Sequence, residues 1–172
     1  LLAEAGHSRG LSVTLEFRED RRADEIQRQL GEAGIEVTLR PSPWAEVLGR
    51  VRSGEAPFYY GAFTADTGDA GDILDSAIHT AQPAAGLGVD NHFGYSSPEV
   101  DRLLLAARTA TTLLDRRQAL QRAMERVMTD LPMVPLLIPH DLYVVRRDVR
   151  WTPRLDGRVL AADLARDPGG RP

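Results

Sequence analysis

No cysteine and no lysine occur in this chain of 172 residues, and aromatic residues make up only 6% of it. Without cysteine there can be no disulfide, no thiolate metal site and no catalytic thiol, and the redox compartment is left unread. All 21 basic residues are arginine, which reads as the codon bias of a GC-rich genome rather than as a functional signal. No apolar run approaches the roughly 18 residues of a membrane span, and no signal peptide is visible. A net charge of −4 and a pI near 5.6 remove the electrostatic reason to expect nucleic acid or an anionic membrane as partner. The four histidines, His7, His79, His92 and His140, are scattered, with no pair at i, i+4 and no HExxH, so no metal site is expected. A phosphate loop ending in GK[ST] is missing, as is a serine in a GxSxG setting, so neither catalysis nor a cofactor is expected.

What is present is a regular alternation of short patterns. Residues 1–5 read as the last turn of a helix that Gly6 ends, and the start without methionine reads as a fragment whose N-terminal part is absent. Val13, Leu15 and Phe17 alternate with Ser12, Thr14 and Glu16, the pattern of a strand with one wet face. Ala23, Ile26, Leu30 and Ala33 mark one side of a helix, with Asp24 and Arg28 paired on another and Gly34 as its stop. Ile35, Val37 and Leu39 form a second strand. Ser42-Pro43 then opens a helix whose apolar side is Trp44, Val47, Leu48 and Val51, Trp44 serving as core or interdomain packing. The order β-α-β-α-β-α with short connections predicts right-handed crossovers and a mostly parallel sheet.

The stretch 58–63 carries six apolar or small residues and no charge, which predicts a strand covered on both faces and so central in the sheet. Three carboxylates follow at spacing three, Asp66, Asp69 and Asp72. Asp69 and Asp72 suit the start of the helix that Ile73, Leu74, Ala77 and Ile78 describe, as cap and first-turn acid. Asp66 is left over, at the carboxyl end of a strand, where open α/β sheets bind ligands. The three acids lack the alternation of an EF-hand loop.

After an irregular, glycine- and alanine-rich loop over 80–97 holding His92 and Phe93, Ser97-Pro98-Glu99 opens a helix with Val100, Leu103, Leu104 and Ala107 inward. A second helix from Asp115 turns Leu120, Met124, Val127, Met128 and Leu131 inward, and its arginines Arg116, Arg117, Arg122 and Arg126 read as a solvated face. Segments 134–138 and 142–145 look extended. The end of the chain, from 161 to 172, reads as a flexible tail.

Five phrases, LLAEAG, IQRQLGEAGIEVTLRPSPW, GAFTADTGDAGDIL, YSSPEVDRLLLAAR and RRQALQRAMERVMTDLPMVPLL, resemble in order and spacing the C-terminal lobe of the family 5 extracellular solute-binding proteins of ABC transporters, the oligopeptide, dipeptide and nickel receptors. The resemblance spans residues 1–160 and implies one α/β lobe with an open mixed, mostly parallel sheet flanked by helices, like a class II periplasmic binding protein. It implies a small-molecule or peptide ligand held in a cleft against an N-terminal lobe absent from this sequence. Delivery to ABC permease subunits is also implied, as is a periplasmic or extracellular place, membrane-associated through an upstream signal or lipid anchor.

Peptide-binding members end a central strand in Trp-x-x-Asp, the aspartate holding the peptide's ammonium. The matching string here is Phe63-Thr64-Ala65-Asp66, with Phe63 where tryptophan is usual. The resemblance implies that Asp66 takes the ammonium and that Phe63, Thr64, Ala65 and Thr67 line the ligand, while His92 and Phe93 in the irregular loop are candidates for cleft contact or for simple surface exposure. The family's common Asp-Pro after this point is replaced by Asp69-Ala70. A ligand-sensing domain of a transcriptional regulator built on the same lobe is the alternative.

Overall fold

In the computed structural model, residues 1–64, 67–154 and 156–166 are described. The chain divides into two compact units, Leu1–Phe63 and Thr64–Pro172.

The first unit follows the alternation read from the sequence. Strand β1 (Leu11–Phe17), helix α1 (Arg22–Glu32), strand β2 (Ile35–Pro41), helix α2 (Trp44–Arg52) and strand β3 (Tyr59–Tyr60) come in chain order. The sheet is parallel with order β2-β1-β3, and β1 and β2 pair in register from Leu11 opposite Ile35 to Phe17 opposite Pro41. Leu15, Phe17, Ala23 and Val37 are its main core, which Ile26 and Leu30 of α1 help to cover. Val47, Val51 and Ala56 form a second small cluster with Tyr59.

The sheet's middle is β1, not the 58–63 stretch. Only Tyr59 and Tyr60 pair, on one side, with Glu16 and Phe17. The alternation of β1 concealed its burial, because Glu16 stands on the face read as wet yet is only 2% exposed. Two arginines neutralise it, so a charged residue occupies an inside position. On α1, Arg28 pairs with Glu25 and Glu32 instead of the expected Asp24, i,i+3 and i,i+4 partners being equally within its reach.

The second unit is helical at its centre. A short turn of α-helix, α3 (Gly71–Ile73), runs into a π-helical turn over Leu74–Ile78. Helix α4 (Pro98–Thr109) opens as expected, the Ser97 hydroxyl accepting from the Val100 amide at 3.4 Å, and α5 (Leu113–Asp130) opens on Thr112, whose hydroxyl accepts from the Asp115 amide at 3.1 Å. Leu74, Ile78, Val100, Leu104, Leu120 and Val127 pack together, with Ala107 and Ala123 letting the helices approach. Met128 and Leu131 are exposed rather than inward, since the buried stripe of α5 closes with Val127. Leu131 ends the helix in left-handed geometry, φ 47° and ψ 53°.

Asn91 organises the irregular loop. Its side-chain amide donates to the carbonyls of His79 at 3.0 Å and Tyr95 at 2.6 Å, and its oxygen accepts from the Tyr95 amide at 3.0 Å. Segments 134–138 and 142–145 form no strand, and Ile138, Leu142 and Val144 are almost wholly exposed. Residues 161–166, the described part of the stretch expected as a flexible tail, carry ordered elements. A 3-10 turn spans Ala161–Asp163, and strand β5 (Ala165–Arg166) pairs antiparallel with β4 (Val149–Arg150). Residues 167–172 lie outside the described residues.

Candidate functional site

In the first unit, the carboxyl ends of β1 and β3 open onto a crevice of about 200 Å³. This is the edge at which parallel sheets present loops and main-chain groups to ligands. Arg18, the residue after β1, lines it, as do Asp20, Arg22, Trp44, Tyr60 and Gly61. Asp20 closes on its own neighbour: its carboxylate accepts from the Arg22 amide at 2.9 Å and from Nε at 3.0 Å, and the Arg22 hydrogen bond holds its carboxyl below the usual range. Arg18 forms no salt bridge among the described residues, and its charge acts on the neighbouring Asp20 at longer range.

Trp44, the first residue of α2, forms a wall. Its ring lies against Gly61 so closely that a Cβ there would sit 3.0 Å from Cη2. Any larger residue at 61 would push the indole away. Trp44, expected to serve core or interdomain packing, is 36% exposed at this crevice. A tryptophan directly after Ser-Pro at a helix start was the available signal for the missed wall.

Beneath the crevice lies a charged network. Glu16 accepts from Arg40 Nη1 at 2.8 Å and from Arg50 through Nε at 3.1 Å and Nη2 at 2.7 Å. Arg50 Nη2 also donates to the Ser42 hydroxyl at 2.8 Å, and the Ser42 amide donates to the Phe17 carbonyl at 3.0 Å. Burial pushes the Glu16 carboxyl up, but the hydrogen bonds and charges of Arg50 and Arg40 outweigh it and hold the pKa below its ordinary value. Ser42 was expected to cap α2. Its hydroxyl instead serves Arg50, and Pro43 stands at the N-cap without a side-chain bond.

In the second unit, the loop that follows the Phe63-Thr64-Ala65-Asp66 string is held tightly. Asp66 and Ala65 themselves lie outside the described residues. Thr67 donates its amide and hydroxyl to one Asp72 oxygen at 3.0 and 2.7 Å. Asp69 accepts from the Gly71 amide at 2.7 Å and from Arg116 through Nη2 at 2.9 Å and Nε at 3.2 Å. The Arg116 hydrogen bond, with that of the Gly71 amide, keeps Asp69 below the ordinary carboxylate range. Arg116 thus leaves the solvated face expected of it and also donates to the Ala107 carbonyl at 3.0 Å. Beside this loop, a groove of about 610 Å³ runs along the start of α5 between Asp69, Leu113, Leu114 and Met124. The smaller crevice is the better candidate, because strand ends and the Arg18 cation converge on it.

The other expected site residues fall in both units. Phe63, 43% exposed, ends the first unit, and Thr64 is exposed at the start of the second. His92 is mostly enclosed, 3.9 Å from Asp90, and Phe93, partly buried, packs against the helical core in the loop that Asn91 organises. Among the described residues no three histidine or carboxylate side chains gather to hold a metal ion.

No family model matches the chain. It is 26% identical over 128 residues, 74% of its length, to the probable di/tripeptide-binding protein 5 of Pseudomonas aeruginosa, and 27% identical over 157 residues, 86% of its length, to di/tripeptide-binding protein 4 of the same organism. Its fold matches the periplasmic binding protein DppA of Helicobacter pylori, solved with the peptide STSA, at a TM-score of 0.69 and 27% identity over 78% of this chain and 27% of that one. The chain is similar to the peptide-binding solute-binding proteins of family 5. It spans about a quarter of the length of its curated relatives, 24% and 28%. The family 5 architecture agrees with the open, parallel α/β sheet flanked by helices expected from the sequence. Both curated relatives are binding proteins rather than enzymes.

Proposed function

We propose that this chain is the C-terminal lobe of the substrate-binding component of an ABC importer, working in the periplasm or outside the cell. It captures a short peptide between itself and an N-terminal lobe and delivers it to the permease, with an upstream signal or lipid anchor holding the receptor at the membrane. The observation that carries the reading is the match to two di/tripeptide-binding proteins over most of the chain. The crevice at the ends of β1 and β3 supports it through its mixed aromatic and charged lining of Trp44, Tyr60, Arg18 and Asp20.

Asp66 is the residue we assign to the peptide's ammonium, with Phe63, Thr64, Ala65 and Thr67 around it. An ammonium taken out of water needs an ionised acceptor. Nothing among the relatives favours the regulatory alternative. Calorimetry of the full-length protein with a panel of di- and tripeptides tests the reading, and no binding across the panel refutes it. Replacing Asp66 by Asn should weaken binding by about 2 kcal/mol or more, the scale of breaking a buried charge pair. An unchanged affinity removes that residue's role.

A further inference from the structure

We propose that the Glu16–Arg50–Ser42 network is a latch that positions Trp44, and through it the shape of the crevice at the ends of β1 and β3. The proposal rests on the peptide-receptor reading for its consequence, though not for its geometry.

The latch joins elements that little else joins. The apolar cluster under α2 consists of Val47, Val51, Ala56 and Tyr59, and includes no residue of β1. What binds α2 to the middle strand is polar. Arg50, in the last turn of α2, grips one Glu16 oxygen with two nitrogens, at 3.1 and 2.7 Å. The same Nη2 reaches Ser42 at 2.8 Å, and Ser42 is tied to the Phe17 carbonyl at 3.0 Å. One guanidinium therefore fixes the end of β1, the turn before α2 and α2 itself. Trp44 stands two residues beyond Ser42, and its indole is pressed onto Gly61. A small rotation of α2 would move that indole, which forms a wall of the crevice.

A buried ion pair is a poor choice for stability alone, because apolar side chains of similar volume serve as well or better. Its particular asset is direction. A planar guanidinium sharing donors between a carboxylate and a hydroxyl allows one relative placement, whereas a contact between branched aliphatic side chains tolerates several. Arg40, more than half exposed, supplies the second charge that keeps Glu16 ionised. Glu16 and Arg50 are thus positioning residues, and neither lines the crevice.

The test uses the full-length protein and three variants: Arg50→Lys, which keeps the charge and loses the fork; Glu16→Gln; and the double variant Glu16→Met/Arg50→Met, which replaces the pair with apolar bulk. Three readouts are taken: the emission and acrylamide quenching of Trp44, isolated by subtracting the same spectra in a Trp44→Phe background; the dissociation constant for a tripeptide that the parent binds; and the thermal unfolding midpoint. The double variant should keep its midpoint within a few degrees, while its Trp44 emission shifts to the red and quenches faster. Its peptide affinity should fall by roughly tenfold, the scale of one charged hydrogen bond. Arg50→Lys and Glu16→Gln should show the same changes in smaller measure. A folded double variant with parental Trp44 spectra overturns the latch. Altered spectra with unchanged peptide affinity overturn its link to binding. A parent protein that binds no peptide refutes the receptor reading, while the Trp44 spectra still decide the latch.

Discussion

The two units of this chain solve the same problem with different materials. In the first, a parallel sheet is sealed by a modest apolar core, and a buried carboxylate flanked by arginines orients α2. In the second, a larger apolar cluster joins the π-helical turn at 74–78 to α4 and α5, and ion pairs such as Arg116 on Asp69 and Arg126 on Asp130 lie around it. Apolar packing supplies free energy with little directional demand, while charged hydrogen bonds supply direction with little net free energy. The crevice lies in the unit organised by direction.

The contrast can be broken by mutation. Leu104, 1% exposed at the middle of the helical cluster, should cost most: Leu104→Ala is expected to lose about 3 kcal/mol, by transfer and cavity effects, in denaturant unfolding. A loss below 1 kcal/mol would mean that the second unit is not held by that core. Glu16→Ala should cost about 2 kcal/mol, because it leaves Arg50 without its acceptor; the figure is discounted for Arg40, which water can still serve. Ser97→Ala, which removes the cap of α4, should cost about 1 kcal/mol.

The last and smallest effect is one of pH. Glu16 titrates below its ordinary 4.5, so its contribution is complete above that value and disappears as pH falls through the folded-state pKa. Asp75, in the second unit, has the opposite sign. Burial raises its carboxyl, with Arg108, His79 and Arg116 offsetting only part, so its ionisation costs stability as pH rises from 3.8 through the folded value. Asp75→Asn should therefore raise the unfolding midpoint at pH 7 and leave it unchanged near pH 3. Equal gains at both values would show that charge is not the cause.

Most of this architecture is legible in the residues. The alternations of β1 and β2, the stripe of α1 and the opening of α4 at Ser97-Pro98 all specify local structure through period and capping, while α5 begins two residues before the expected Asp115. Sequence reading failed where the decisive partner is remote. Glu16 looks like a solvent-facing residue until Arg40 and Arg50, 24 and 34 positions later, close over it. With Glu16 read as wet, β1 looked like a strand with one solvated face and the apolar 58–63 stretch looked central. Asn91 gives no periodic signal, yet its three hydrogen bonds organise the loop in which Phe93 packs against the core. For the site, the family string drew attention to Asp66, while Trp44, Tyr60 and Arg18 converge only through strand order, which no local window reports.

The stop of α5 has a practical consequence. Leu131 bears the left-handed conformation that costs any residue with a branched or bulky side chain, yet it is about half exposed and so gains little from being leucine. Glycine or asparagine there would relax the backbone without opening a hole. That makes position 131 an inexpensive place to harden the protein for crystallisation or storage.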